Sequence, residues 1–137
     1  MKVNSAFKGL LAALGVVTIV SACATTTVEP VTGEWQLQQV EAPPLAAVVW
    51  LSWSGDGKVN GFAGCNRFGG NYQQEGAALT VSELRSTRKA CAEDVMQQEM
   101  RFLNLLGNAA TTEQTGDRLT LKTGEGETLQ FSRRAKP

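Results

Sequence analysis

The 137-residue chain contains no histidine, and this absence excludes several kinds of chemistry. Without an imidazole there is no Ser-His-Asp triad, no Cys-His dyad, no histidine metal ligand and no histidine general base. The 13 basic and 13 acidic side chains give a formal charge of zero, so charge offers no argument for nucleic-acid binding. The length allows one domain. Cysteine is also scarce, and the odd count of three needs an explanation.

The N-terminal segment lacks an apolar run long enough to cross a membrane. Lys2 and Lys8 accompany an uncharged stretch of twelve residues, Gly9–Val20. A membrane-spanning helix needs about 20 apolar residues. A short apolar run behind a positive start is typical of a secretory signal, and an N-terminal core helix is the alternative. We therefore predict a signal peptide over residues 1–22.

Small residues stand directly before the first cysteine, in the order Val20-Ser21-Ala22-Cys23. This order resembles the lipobox of bacterial lipoproteins, in which the cysteine is lipidated and becomes the new N-terminus. The resemblance implies a lipid anchor at Cys23, and Ala24 in place of aspartate favours the outer membrane. Several acyl chains hold a protein stably on a bilayer. We expect a lipid-anchored protein of the bacterial envelope that faces the periplasm, with a flexible, Thr-rich tether over residues 23–32.

Alternation of apolar and polar residues predicts strands in the remaining domain, residues 33–134. The alternating apolar pairs are Trp35 and Leu37, Leu79 and Val81, Leu119 and Leu121, and Leu129 and Phe131. Turns that contain glycine separate several of these runs, which favours antiparallel hairpins. The segment Glu93–Leu106 instead has apolar residues every three or four positions. This spacing predicts one amphipathic helix that ends at Gly107 and covers a face of the sheet.

The other two cysteines lie in the stretches Gly61–Gly70 and Ser86–Cys91. An exported protein meets an oxidising compartment, so we predict a disulfide between Cys65 and Cys91, with two free thiols as the alternative. On the chain-entropy model, closing a loop of this size stabilises the fold by about 3.5 kcal/mol. Two cysteines without a histidine cannot complete a four-ligand zinc site, and we predict neither a metal nor a cofactor.

Taken in order, the two cysteine-containing stretches resemble the META domain family, also described as HslJ-like. The matching motifs are Gly61-x-Ala63-Gly64-Cys65-Asn66-Arg67-Phe68-x-Gly70, Ser86-Thr87-x-x-Ala90-Cys91 and the opening Gly33-x-Trp35-x-Leu37. The resemblance implies an α+β fold, a small single domain with a bent antiparallel β-sheet wrapped around one amphipathic helix. It also implies a non-enzymatic protein associated with stress tolerance, antibiotic resistance and secretion.

Trp50 is the candidate residue for contact with a partner. In the run Val48–Trp53, the side chains of Val49, Leu51 and Trp53 share one face of a strand, and Trp50 belongs to the other. If the first face is the core, Trp50 is exposed and available to a partner. If the strand is central and covered on both sides, Trp50 is a core residue.

The motifs Ser86-x-x-Lys89 and Lys122-Thr123-Gly124 also occur in penicillin-binding proteins. Ser86 precedes the predicted helix, however, and those enzymes need the serine at a helix start, so we assign no catalytic residue. Two functions remain as hypotheses. The first is an envelope lipoprotein that acts in stress tolerance through an unknown protein partner. The second is a carrier or pilot-type module that holds a lipid or peptide between sheet and helix. A continuous apolar cavity would favour the carrier, and a filled core the interaction protein.

Overall fold

Strands make up most of the structure, a computed structural model that describes residues 28–40 and 44–135. The elements in chain order are β1 (Gly33–Val40), β2 (Trp50–Ser54), β3 (Lys58–Phe62), β4 (Arg67–Glu75), β5 (Ala78–Ser86), α1 (Glu93–Gly107), β6 (Ala109–Thr115), β7 (Arg118–Thr123) and β8 (Thr128–Arg133). Each strand pairs antiparallel with the next, and β8 pairs with β1. The sheet therefore closes into an eight-stranded barrel.

The closed barrel shows that the predicted fold class is wrong. We expected an α+β domain in which a bent sheet wraps around one amphipathic helix. Instead the sheet closes on itself, and α1 packs against one end of the barrel, where it contacts β5, β7 and β8. The alternation of apolar residues could not reveal closure, because inward and outward positions alternate in open and closed sheets alike.

The predicted helix is confirmed as α1, and its apolar stripe faces the barrel. Glu93 and Asp94 lie in the first turn, where acidic side chains interact favourably with the helix dipole. Phe102, Leu105 and Leu106 are buried and belong to the same hydrophobic core as the strands. The amphipathic pattern thus identified the helix correctly, whereas its position across the end of a barrel is a property of the tertiary structure.

Large side chains fill the interior of the barrel. The strand residues predicted from alternation, Trp35, Leu37, Leu79, Val81, Leu119, Leu121, Leu129 and Phe131, are all buried. The packing is close enough to require glycine at position 61. A Cβ atom there would overlap the carbonyl oxygen of Trp50 and lie 2.8 Å from the ring of Phe68. An interior packed to this density loses stability when even one methylene is added or removed.

The two ends of the barrel are built differently. At one end, which we call the hairpin end, short turns at 55–57, 76–77 and 116–117 connect the strands. Gly76 and Gly116 have φ of +59° and +58°, a conformation that favours glycine and suits a two-residue hairpin. The other end, which we call the helix end, carries the 63–66 turn, the 87–92 segment and α1.

The segment before β1 lies against the hairpin end. Val31 is fully buried, and its N–H donates to Oε1 of Gln74 at 2.8 Å. Nε2 of Gln74 donates in turn to the carbonyl oxygen of Glu29 at 3.2 Å. Burial raises the pKa of Tyr72, so its hydroxyl stays protonated and donates to the carbonyl oxygen of Ser54 at 2.8 Å.

Packing of the domain therefore extends N-terminally to Val31, which the sequence prediction placed in the tether. The predicted signal peptide, Cys23 and the first part of the predicted tether lie outside the described residues.

Replacing Phe102 with alanine should lower the free energy of unfolding by about 3–5 kcal/mol, because a buried aromatic side chain is removed and a cavity remains. Phe102 is fully buried, and its ring centroid lies 5.6 Å from that of Phe68. Urea denaturation of the oxidised domain measures the change. Met100→Ala is the matched control on the same helix. Met100 is 69% exposed, so its loss should change stability by less than about 0.5 kcal/mol. Equal effects of the two changes would contradict the core position of α1.

Candidate functional site

The turn that connects β3 and β4 contains the most distinctive motif residues, Gly64, Cys65 and Asn66. Gly64 has φ of +115°, a conformation that side chains other than glycine rarely adopt. An added Cβ would also lie 3.2 Å from Nε2 of Gln98 on α1. The turn therefore needs glycine both for its backbone conformation and for its close approach to the helix.

Glu99 of α1 binds this turn through hydrogen bonds to its backbone. It is only 5% exposed, and Oε2 accepts hydrogen bonds from the backbone N–H of Cys65 at 3.1 Å and of Asn66 at 2.7 Å. Oε1 accepts from Nδ2 of Asn66 at 2.6 Å. A buried carboxylate is costly unless it is well hydrogen-bonded, and three donors compensate here for its lost hydration.

The side chain of Asn66 connects the turn to the segment that precedes α1. Its Oδ1 accepts from Oγ1 of Thr87 at 2.8 Å and from the N–H of Lys89 at 2.6 Å. Nδ2 also donates to the carbonyl oxygen of Lys89 at 3.1 Å. These hydrogen bonds give Asn66 a structural role at the turn. We call Asn66, Glu99 and their bonded neighbours the Asn66 network.

A disulfide between Cys65 and Cys91 joins the same two segments covalently, with the Cα atoms 6.1 Å apart. The two thiols that the sequence analysis paired are therefore bonded to each other. Together the disulfide and the Asn66 network attach the 63–66 turn, the 87–92 segment and α1 to one another. This arrangement fixes the helix end of the barrel.

Glu99 is a site residue that we did not predict, although its position in the sequence carries a signal. Glu99 occupies a position on the apolar stripe of α1, between Val95 and Phe102 at helical spacing. A lone carboxylate on a face that is otherwise apolar indicates a buried, hydrogen-bonded acid. What the sequence does not show is the partner, because Cys65 and Asn66 lie more than thirty residues away in the chain.

The hydrolase-like motif does not form a catalytic arrangement. Ser86 is the last residue of β5, and Lys89 lies in the segment before α1, with its N–H bonded to Asn66. The serine and lysine therefore do not lie one turn apart at the start of a helix. Within the described residues, no group of three or more acidic, cysteine or histidine side chains is arranged to hold a metal ion. The helix in the described part of the chain is too short and too polar to span a membrane.

Trp50 lies on the outer face of the barrel, at the start of β2. Val49, Leu51 and Trp53 point inward and are buried, while Trp50 is half-buried. Phe62 lies directly opposite on β3, and the guanidinium carbon of Arg134 is 4.8 Å from the centroid of the Trp50 ring.

The position of Trp50 is intermediate between the two that we considered, because the residue is neither in the core nor fully exposed. With the exposed Val48, we call Trp50, Phe62 and Arg134 the Trp50 surface.

A second surface feature is a cleft of about 370 Å³ between α1 and the segment before β2. It is lined mainly by apolar atoms, with Val40, Pro44 and Leu45 on one side and Gln97 and Arg101 on the helix. Gln98 fixes this segment on α1. Its Oε1 accepts from the N–H of Ala46 at 2.6 Å, and Nε2 donates to the carbonyl oxygen of Ala47 at 2.8 Å. We call this feature the helix cleft.

Replacing Glu99 with glutamine should lower the free energy of unfolding by about 1–3 kcal/mol. The carboxylate accepts three N–H hydrogen bonds, and the NH2 group of glutamine cannot accept the ones that it would face. Glu93→Gln is the matched control on the same helix. Glu93 is exposed and bonds to Gln97, so its replacement should lose only the helix-dipole interaction of the first turn, which is less than about 1 kcal/mol. Both variants are compared by urea denaturation of the oxidised protein. A Glu99→Gln protein as stable as the control would show that the Asn66 network contributes little to the fold.

Comparison with known proteins agrees with the motif resemblance. Residues 26–136 match the family model described as META domain. No curated protein matches the chain. An NMR structure of a protein from Burkholderia xenovorans is similar over 86% of this chain and 100% of that chain, with 25% identity and a TM-score of 0.63.

A crystal structure of a DUF4847 family protein from Bacteroides vulgatus covers 77% of this chain and 95% of that chain, with 15% identity and a TM-score of 0.57. At this identity the likeness concerns the fold alone. The family match, by contrast, extends from the segment before β1 to beyond β8 and includes both cysteine motifs. On that evidence the chain belongs to the META domain family.

Proposed function

We propose that this protein is a lipoprotein of the bacterial cell envelope, anchored in the outer membrane through Cys23, whose META domain acts by contact with other envelope proteins and not by catalysis. The observation that carries the proposal is the filled interior of the barrel. Trp35, Trp53, Phe102 and Phe131 occupy it and are each 2% exposed or less.

An eight-stranded barrel is just wide enough to be filled by side chains or to hold one small ligand. In this protein the side chains take that space, and α1 adds Phe102 and Leu106 to the same core. A lipid or peptide held between sheet and helix would have to displace these residues. The filled core therefore supports the interaction protein over the carrier, by the criterion that separates the two hypotheses.

The Trp50 surface is suited to protein contact. Tryptophan and arginine are enriched among the residues that dominate binding energy at interfaces. Trp50 is held by stacking under Arg134, so little side-chain entropy is lost when a partner packs on it. Arg134 is itself oriented by Glu34, at 4.0 Å, and by a bond from its N–H to the Glu34 carbonyl oxygen. A partner with an acidic or aromatic side chain fits this surface.

Location in the envelope is supported by the order of charged start, apolar run and Cys23 in the sequence. The disulfide between Cys65 and Cys91 agrees with an oxidising compartment such as the periplasm. A role in envelope stress tolerance rests on the family resemblance alone, since one fold serves many functions.

The carrier hypothesis keeps one specific observation in its favour, the helix cleft. Its volume of about 370 Å³ lies at the low end of the range for small-molecule sites, and its lining is mainly apolar. This cleft lies on the surface beside α1 and not between sheet and helix, so a ligand there would be only partly enclosed. We therefore place the carrier second.

Replacing Cys23 with serine should abolish incorporation of radiolabelled palmitate and leave the signal peptide uncleaved, because the thiol is the acceptor of the lipid. Ser21→Ala is the control, since it keeps a small residue in the lipobox and should label normally. The measurement is palmitate incorporation in growing cells together with the mass of the purified protein. Unchanged labelling of the serine variant would exclude lipid attachment at Cys23.

Replacing Trp50 with alanine should reduce several-fold the recovery of proteins crosslinked to this chain in intact envelopes, with little change in the denaturation midpoint. Met100→Ala, an exposed change elsewhere, should leave recovery unaltered. Arg134→Glu reverses the charge beside the ring and should weaken recovery as well. Recovery that is unchanged in both Trp50→Ala and Arg134→Glu would exclude the Trp50 surface. A noncovalent lipid that co-purifies with the protein would instead support the carrier.

A further inference from the structure

We infer that the hairpin end lies against the lipid headgroups and that the helix end, with α1 and the helix cleft, points into the periplasm. This inference rests on the proposed lipid attachment at Cys23, and it adds the orientation of the domain. The partner of the hairpin end is the surface of the bilayer.

The chain that precedes β1 has a fixed position where it leaves the domain. Val31 is buried among the strands, and Gln74 near the end of β4 bonds to both Val31 and Glu29. Nε2 of Gln74 also donates to the carbonyl oxygen of Gly76 at 2.9 Å, so Glu29 is held next to the 76–77 turn of the hairpin end. The segment that leads to Cys23 thus departs from the hairpin end.

The connection from Cys23 to Val28 is short compared with the height of the barrel and its helix. Five residue steps separate Cys23 from Val28. Fully extended, they span at most about 18 Å. The nine-residue strands β4 and β5, tilted as in other barrels, give the wall a height of about 20 Å, and a helix across its end adds about 10 Å.

With the helix end on the membrane, Val28 would lie about 30 Å above the surface, beyond the reach of an acylated Cys23. The orientation with the hairpin end toward the membrane needs no such span.

Charged side chains at the hairpin end do not favour either orientation strongly. The turns and strand ends at the hairpin end carry both signs, with Asp56, Glu75 and Asp117 beside Lys58, Arg118 and Arg133. Asp117 pairs with Arg133 at 3.3 Å. A surface of mixed sign is neither strongly attracted to anionic headgroups nor strongly repelled by them. The short connection to Cys23, and not a basic patch, therefore sets the orientation.

The orientation has a consequence for the surfaces described above. Trp50 is the first residue of β2, so it lies on the barrel wall toward the helix end. The ring of Trp50 and the helix cleft are thus held away from the bilayer, where a periplasmic partner can reach them, while Arg134 extends to the ring from beyond the end of β8 at the hairpin end. Met100, which is exposed, belongs to α1 and so to the helix end as well.

Two glycines allow a matched experiment. Gly55 lies in a turn of the hairpin end, and Gly124 in a turn of the helix end. Neither has a positive φ, and no described atom lies within 4 Å of a Cβ added at either position. Gly55→Cys and Gly124→Cys should therefore both fold, and each supplies one thiol for a fluorescent label while Cys65 and Cys91 remain bonded.

Each labelled, lipidated full-length protein is reconstituted into phosphatidylcholine vesicles that contain a lipid with a nitroxide on its headgroup. The fluorophore at position 55 should be quenched several-fold more strongly than the one at position 124. Equal quenching at the two positions, or stronger quenching at 124, would overturn the orientation. The same labelled proteins in vesicles without the nitroxide lipid give the background for each position.

Mass spectrometry of the same samples separates the failure of this inference from that of the proposed function. If Cys23 carries no lipid, the proposed anchor is wrong, and so is the orientation inferred from it. If Cys23 is lipidated and the two positions are quenched equally, the anchor stands and only the orientation is wrong.

Discussion

The pairing of β8 with β1 is the constraint on which the rest of this structure depends. It brings the last strand of the chain against the first, with Leu37 opposite Phe131 and Val40 opposite Leu129. Closure gives every strand of the barrel two neighbours and creates an enclosed interior. Because the side chains that point inward are large, that interior becomes a packed core of the described residues. Our preference for an interaction protein over a carrier rests on this packed interior.

A closed barrel still has two open ends, and this protein covers them by different means. The helix end is covered by α1, which is attached through the buried carboxylate of Glu99, the Asn66 network and the disulfide. The hairpin end is covered by the segment around Val31, which is held by Gln74. These two attachments differ in chemistry because one end receives a whole helix and the other a short stretch of extended chain.

The difference between the ends connects the fold to the proposed function. A barrel attached to a membrane by a short N-terminal segment presents one end to the lipid and the other to the periplasm. The ring of Trp50, which we propose for protein contact, and the helix cleft, which would suit a small ligand, lie toward the end that the segment does not occupy. Glu99 and Asn66, buried at the same end, hold the framework on which these surfaces are displayed.

The sequence by itself determined the local elements, and it favoured a disulfide between Cys65 and Cys91 over the two free thiols that the structure excludes. Alternation identified strands such as the one around Leu119, and helical spacing identified α1, because these signals depend only on neighbouring residues. Closure of the sheet, the carboxylate of Glu99 under Asn66 and the stacking of Arg134 on Trp50 were decided only by the tertiary structure. Each joins residues that are distant in the chain, and no local pattern records which distant partner a side chain will meet.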